Sequence, residues 1–154
     1  MKKKNNERGQ SLVELAISLV LLLLLLSGAV EFGMAFFQFI QLRDAAQEGA
    51  LYGSINPSDT TNIEARVRGA SNTPIKLSDT AKVTVVISII DKDTSAEYSV
   101  GSANYASHDC EGNGLKVKVS FNHTVFMPFM STVIGNPLPL HAEVTDTILS
   151  PYTC

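Results

Sequence analysis

The sequence is short of basic residues, cysteine and histidine, and each shortage removes a class of function. With 12 Lys and Arg against 15 Asp and Glu, the net charge is −3, so the basic footprint of a nucleic-acid binder is missing. Two cysteines and three histidines form no cluster at zinc-ligand spacing. His123 and His141 are expected on opposite faces of one sheet, and His108 in a loop. No Gly-rich phosphate loop and no nucleophile in a recognisable setting occurs, so neither a cofactor nor an enzymatic activity is expected. Asp91, Asp93 and Glu97 have an odd-number spacing reminiscent of a calcium loop. No Gly or distal Glu follows in the required pattern, and a solvated hairpin turn is expected instead. The most consequential absence is local: from Leu15 to Val30 there is no charged residue at all.

That uncharged stretch opens an apolar run over Leu15–Ile40, with six leucines in a row at Leu21–Leu26. A helix crossing ~30 Å of hydrocarbon needs roughly 20 such residues, and this one is apolar on every side, unlike the one-faced helices of soluble domains. A membrane span over about 15–40 is therefore expected, with the lipid bilayer as its partner. At 154 residues the chain has room for at most one modest domain beside it. Lys2, Lys3, Lys4 and Arg8 precede the span, whereas the flank beyond it carries Asp44, Glu48 and Asp59 without a matching basic excess. Basic flanks stay cytoplasmic, so the amino terminus is expected inside and residues after about 41 outside.

Gly9 and Glu14 stand at the entrance to the span. A carboxylate carried to the bilayer centre costs about 2.5–3.5 kcal/mol, so Glu14 needs a partner. Cleavage between Gly9 and Gln10 would supply one, because the new amine of Gln10 in one subunit could neutralise Glu14 of the next in a staggered bundle of helices. A rival cut is open after Ala29, where Ser27-Gly28-Ala29 has the small residues a signal peptidase reads; it would release a soluble domain beginning at Val30. Against it, apolar character resumes in Phe32, Met34, Phe36, Phe37, Phe39 and Ile40. Glu31, late in the span, is expected to face protein, water or the outer interface, by snorkelling outward or by pairing with another helix. Further on, Leu42, Ala45, Ala46, Gly49, Ala50 and Gly53 share one helical face, suited to close approach of a neighbouring helix or of the protein's own domain. Asn56-Pro57 ends the helix.

Arg8-Gly9-Gln10-Ser11-Leu12-Val13-Glu14-Leu15, the leucine run, Glu31-Phe32-Gly33 and Ala45-Ala46-Gln47-Glu48-Gly49-Ala50 together resemble the TadE-like family over about the first 53 residues. Its members are minor pilins or pseudopilins of tight-adherence (Flp-type) pilus systems, with type IV pilin-like amino termini. The resemblance implies a leader over 1–9, cut after Gly9 by a prepilin peptidase, and a mature helix over 10–54. It implies assembly through Glu14, Glu31 and Gly33 against other pilin subunits, aided by the pilus assembly machinery of the inner membrane. Two departures stand out: Leu15 replaces the aromatic usual after the glutamate, and Gln47 stands where many relatives have Arg. An uncleaved single-pass surface-binding protein remains the competing class.

Residues 55–154 read as an extracytoplasmic α+β domain. Thr61 and Glu64 form a capping-box pattern for a short helix over about 61–71. Lys82–Ile90 reads as a buried strand and Glu97–Val100 as its return. Leu115–Phe121 alternates cleanly, as does Leu140–Leu149 apart from Asp146, predicting a small antiparallel sheet with one wet side packed on the outer half of the long helix. Pairing the last two strands around the Pro128–Pro139 loop, with Val119 opposite Val144 and Phe121 opposite Ala142, brings Cys110 close to Cys154. Outside the membrane a disulfide between them would persist. Phe126–Ile134, strongly apolar, either folds over the domain's own core or forms an exposed patch for another pilus subunit.

Overall fold

The computed structural model describes residues 7–127 and 130–149, with side chains from Gly9 onward. It is α+β, with a single long helix carrying a small antiparallel sheet on its second half. The helix, α1 (Glu7–Ile55), is 49 residues long, or about 73 Å at 1.5 Å per residue. It runs unbroken through both suggested cleavage points, Gly9–Gln10 and Ala29–Val30. A short helix α2 (Thr60–Gly69) follows, then strands β1 (Val83–Ile90) and β2 (Glu97–Ser99) and a 3-10 turn over Tyr105–Ser107. Strand β3 (Gly114–His123), a five-residue helix α3 (Met130–Ile134) and strand β4 (Leu138–Thr147) complete the described elements.

Helix α2 starts one residue earlier than the capping-box pattern suggested, because Asp59 is the cap: its carboxylate accepts from the backbone N–H of Asn62 at 3.3 Å. A carboxylate at that position satisfies an N–H that has no partner within the helix. Ile63 and Val67 form the buried stripe of α2.

Among the described residues the sheet has the order β2-β1-β3-β4, all antiparallel. Its inner face carries Val83, Ile87 and Ile89 from β1 and Leu115, Val117 and Val119 from β3, all buried against α1 and α2. The β3–β4 register differs from the expected one by two residues: Val119 lies opposite Ala142 and Phe121 opposite Leu140. Matching apolar faces restricts the register only to steps of two, and the length of the connection chooses among them. Strand β4 starts at Leu138 and takes Pro139 into the strand, which an edge strand tolerates because one flank needs no donors. The ladder continues past Gly114, with Ile148 N–H donating to Asn113 O at 2.8 Å and Gly112 N–H to Ile148 O at 3.0 Å. Beyond Ile148 the chain turns to α1, where Leu149 N–H donates to Ser54 O at 2.7 Å; Cys154, the expected partner of Cys110, lies outside the described residues.

Candidate functional site

Gly9, Gln10 and Glu14 occupy the first turns of α1 and are exposed. A side chain at Gly9 would meet nothing within 4 Å. Gln10 and Glu14 are four residues apart, so they lie on one side of the helix. Beyond them every residue from Leu15 to Leu26 is exposed, and α1 is, among the described residues, the one helix long and apolar enough to cross a membrane.

Burial starts at Glu31, and of the surroundings expected for it the structure shows protein. Glu31 neither reaches solvent nor faces a second helix; its own outer domain encloses it, leaving 2% of the residue exposed. His123 Nε2, at the end of β3, lies 2.6 Å from Glu31 Oε1. The backbone N–H of Met127 donates to Oε2 at 3.0 Å, and that of Phe126 lies 3.3 Å from both oxygens. His123 is fully buried, and the Phe126 ring meets it edge-on with centroids 6.2 Å apart. A carboxylate in apolar surroundings is tolerated only when its lone pairs are filled, and this one is filled by residues some ninety positions away in the chain. Gly33, two residues on, is exposed with no atom within 4 Å of an added side chain.

The sequence reading missed His123 as the partner of Glu31, having weighed it only as a metal ligand. Two signals pointed to it: His123 falls on the apolar face with Leu115, Val117, Val119 and Phe121, and it is the titratable group nearest the apolar end of that strand.

Further along α1 the small-residue face packs on the protein's own domain. Ala45, Ala46, Gly49, Ala50 and Gly53 are all buried. A Cβ at Gly49 would stand 2.4 Å from Val67 Cγ2, and one at Gly53 would stand 2.1 Å from Leu115 Cδ2. Glycine at both positions lets the helix sit directly on α2 and the sheet. Gln41, buried, pairs with the backbone of Ile75 in both directions, accepting from its N–H at 2.8 Å and donating to its carbonyl at 2.7 Å. Tyr105 donates its hydroxyl to Pro57 O at 2.8 Å, and burial pushes that hydroxyl's pKa up to about 12.

The outer end of the sheet is charged. Asp91 Oδ1 accepts from Thr94 N–H, Thr94 hydroxyl and Asp93 N–H at 2.8–2.9 Å. These bonds hold its pKa below the usual range, led by the one from Thr94 N–H. Glu97 is bonded by Lys116 and by the Ser88 hydroxyl, and the Lys116 contact first of all lowers its pKa. Asp91, Asp93 and Glu97 thus shape a hairpin, and among the described residues no group of three or more His, Cys, Asp or Glu is arranged to hold a metal ion. Cys110 is buried at this end, with Sγ 3.6 Å from Ser107 O; its expected partner Cys154 lies outside the described residues.

The opposite end of the sheet is apolar. Phe126 is 66% exposed and Val133 71%, and Ile134 is also open. Among the described residues of this connection over 126–134 none is part of the buried core. The connection leans on α1, where Met130 Sδ lies 3.6 Å from the position of a Cβ on Gly28.

Compared with curated proteins and with solved structures, the chain finds no match. Residues 9–51, from the glycine before Gln10 to the small-residue face of α1, match the family described as TadE-like protein, the family the sequence resembles.

Proposed function

We propose that the chain is a prepilin-like subunit, a minor pilin or pseudopilin, of a tight-adherence-type pilus. The observation that carries this reading is the division of α1. Its residues 9–26 are all exposed, while from Glu31 onward it is built into the rest of the protein. A bare apolar rod attached to a folded head can exchange lipid for like rods, since helices in bilayers associate by packing rather than by a hydrophobic drive. The family match over 9–51 supports the same reading. The role is structural, with no catalytic step.

In this proposal a prepilin peptidase cuts after Gly9, and the amine of Gln10 offsets Glu14 of an adjacent subunit. The inner-membrane assembly machinery then draws the subunit out, with the amino terminus inside and the domain outside. Gly33, exposed and unobstructed, offers a neighbouring helix a close approach. A Cys110–Cys154 bridge ties the chain beyond β4 to the charged end of the sheet, where Cys110 is buried. By chain-entropy reasoning it contributes about 3–4 kcal/mol, and a mass difference before and after reduction and alkylation tests it.

The intact mass of the mature protein is the first test. An amino terminus at Gln10 is expected; Met1 would mean an uncut anchor, and Val30 a secreted domain. Glu14→Gln is then expected to enter the membrane normally and to be depleted from sheared filaments. Normal incorporation of that variant removes Glu14 from assembly.

A further inference from the structure

The β3–β4 hairpin is polar at one end and apolar at the other. Lys116, Lys118, Glu143 and Asp146 lie on the two strands, with Asp91, Lys92 and Glu97 at the same outer end of the sheet. Between Lys118 and Glu143 the sequence contains no Asp, Glu, Lys or Arg. The tip of this hairpin is the part that leans on α1 beside Gly28.

Position along α1 sets the depth of that tip. If hydrocarbon ~30 Å thick begins at Leu15, it ends near residue 35 at 1.5 Å per residue. Gly28 then lies roughly 10 Å inside its outer edge. The exposed side of α1 continues apolar beyond this level through Phe32, Phe36, Phe37, Phe39 and Ile40. A loop touching Gly28 therefore shares the level of side chains that meet lipid. It leaves Phe126, Val133 and Ile134 exposed.

The backbone of the tip is also equipped for such a place. Irregular chain entering hydrocarbon must satisfy its polar groups internally. Phe126 and Met127 donate their N–H groups to Glu31, and Val125 donates to Asn136 Oδ1 at 3.3 Å. Met130 N–H donates to Met127 O at 3.3 Å, and Gly135 N–H to Ser131 O at 3.1 Å. Gly135 has a positive φ of 84°, a conformation that glycine adopts without strain and that turns the chain from α3 back into β4.

We propose that the tip of the β3–β4 hairpin is a second membrane-contacting element, seated in the outer leaflet beside α1. Phe126, Val133 and Ile134 meet lipid, and Glu31 serves as the acceptor for the loop's backbone. This assigns the carboxylate late in the span a role within its own chain. It rests on the reading of α1 as a membrane span. Insertion to about 5–10 Å is the usual depth for elements that lie in an interface rather than cross it.

The chain contains no tryptophan, so single reporters can be introduced into the full-length protein. Val133→Trp, Leu23→Trp and Val100→Trp are each reconstituted at low protein-to-lipid ratio into vesicles whose acyl chains are brominated near the headgroup or near the terminus. All three side chains are exposed, so the fold is expected to tolerate each change. Val133→Trp and Leu23→Trp are both expected to lose most of their emission to bromines within the acyl chains, and Val100→Trp, on the far edge of the sheet, to neither position. Quenching at Leu23 without quenching at Val133 overturns the inference and leaves the span intact, indicating that protein rather than lipid covers the tip. No quenching at Leu23 removes the span reading and this inference with it. Equal quenching at Val133 and Val100 also overturns it, because the whole domain would then lie on the surface.

Discussion

The two halves of α1 share one unbroken helix and almost nothing else. From Leu15 to Leu26 the side chains are uncharged, mostly large and apolar, and all exposed. From Glu31 to Ile55 a narrow stripe of Glu31, Ala35, Gln38, Leu42, Ala45, Gly49 and Gly53 is buried, and most of its members are small or polar. The large residues are exposed and the small ones are inside, the reverse of a soluble helix. The difference shows what each half meets. A half that meets lipid or equivalent helices needs bulk on all sides. A half that carries its own sheet needs one flat track where the backbones come close, and Glu31 and Gln41 on that track are hydrogen-bonded to the domain.

The largest test of this contrast removes the link between the halves. His123→Ala leaves the Glu31 carboxylate without its side-chain partner. Breaking a buried pair from one side costs roughly 3–5 kcal/mol, so chemical denaturation in micelles is expected to show a destabilised outer domain while α1 keeps its helical signal. An unchanged midpoint would mean that the two backbone donors suffice for Glu31.

Next in size is Gly49→Val, which drives a branched side chain into Val67 on α2. Overpacking of this kind costs about 1–3 kcal/mol, read as a lower midpoint in the same experiment. A comparable change in the first half, Leu22→Val, is expected to leave that midpoint where it was. Equal effects of the two would erase the distinction between halves.

A pH titration sharpens the contrast at the charged end of the sheet. Asp59, Asp91 and Glu97 all have lowered pKa values in the folded protein. Their contribution to stability is complete above the unfolded values near 4 and is lost as pH falls through the lower folded ones. Acid is therefore expected to loosen the outer domain below about pH 4, seen as loss of near-UV circular dichroism before any loss of helix. A domain equally stable at pH 2 and pH 6 would contradict this.

The smallest effect is expected at Gly33→Ala. With nothing near the added methyl, the isolated subunit should gain up to about 1 kcal/mol from helix propensity. If the glycine serves a neighbouring helix, the same variant should assemble less well, which sheared-filament yield would show. Unchanged yield would remove Gly33 from the interface.

Much of this arrangement is legible in the residues themselves. The apolar run, the stop at Asn56-Pro57 and the alternation in β3 each follow from local chemistry; β1 and β3 lie within two residues of where pattern placed them, and α1 ends one residue later and starts three earlier than expected. The N-cap of α2 was misplaced by two residues because Thr61 and Asp59 are both good caps and only the geometry selects between them. The β3–β4 register slipped by two because alternation has a period of two, and nothing along one strand counts its partner's residues. For the same reason the sequence left open whether the small-residue face of α1 served a neighbour or its own domain, until Val67 and Leu115 were seen filling it.

What the sequence alone determined is the division of labour: a rod without charge, a charged and alternating domain, and a glycine and glutamate at the junction with the basic head. Each is a property of consecutive residues, written in their solvation and their spacing. What only the tertiary structure decided is who answers Glu31. His123, Phe126 and Met127 are brought to it by the length of β3 and the turn of the hairpin, and that long-range meeting has no local signature in either segment.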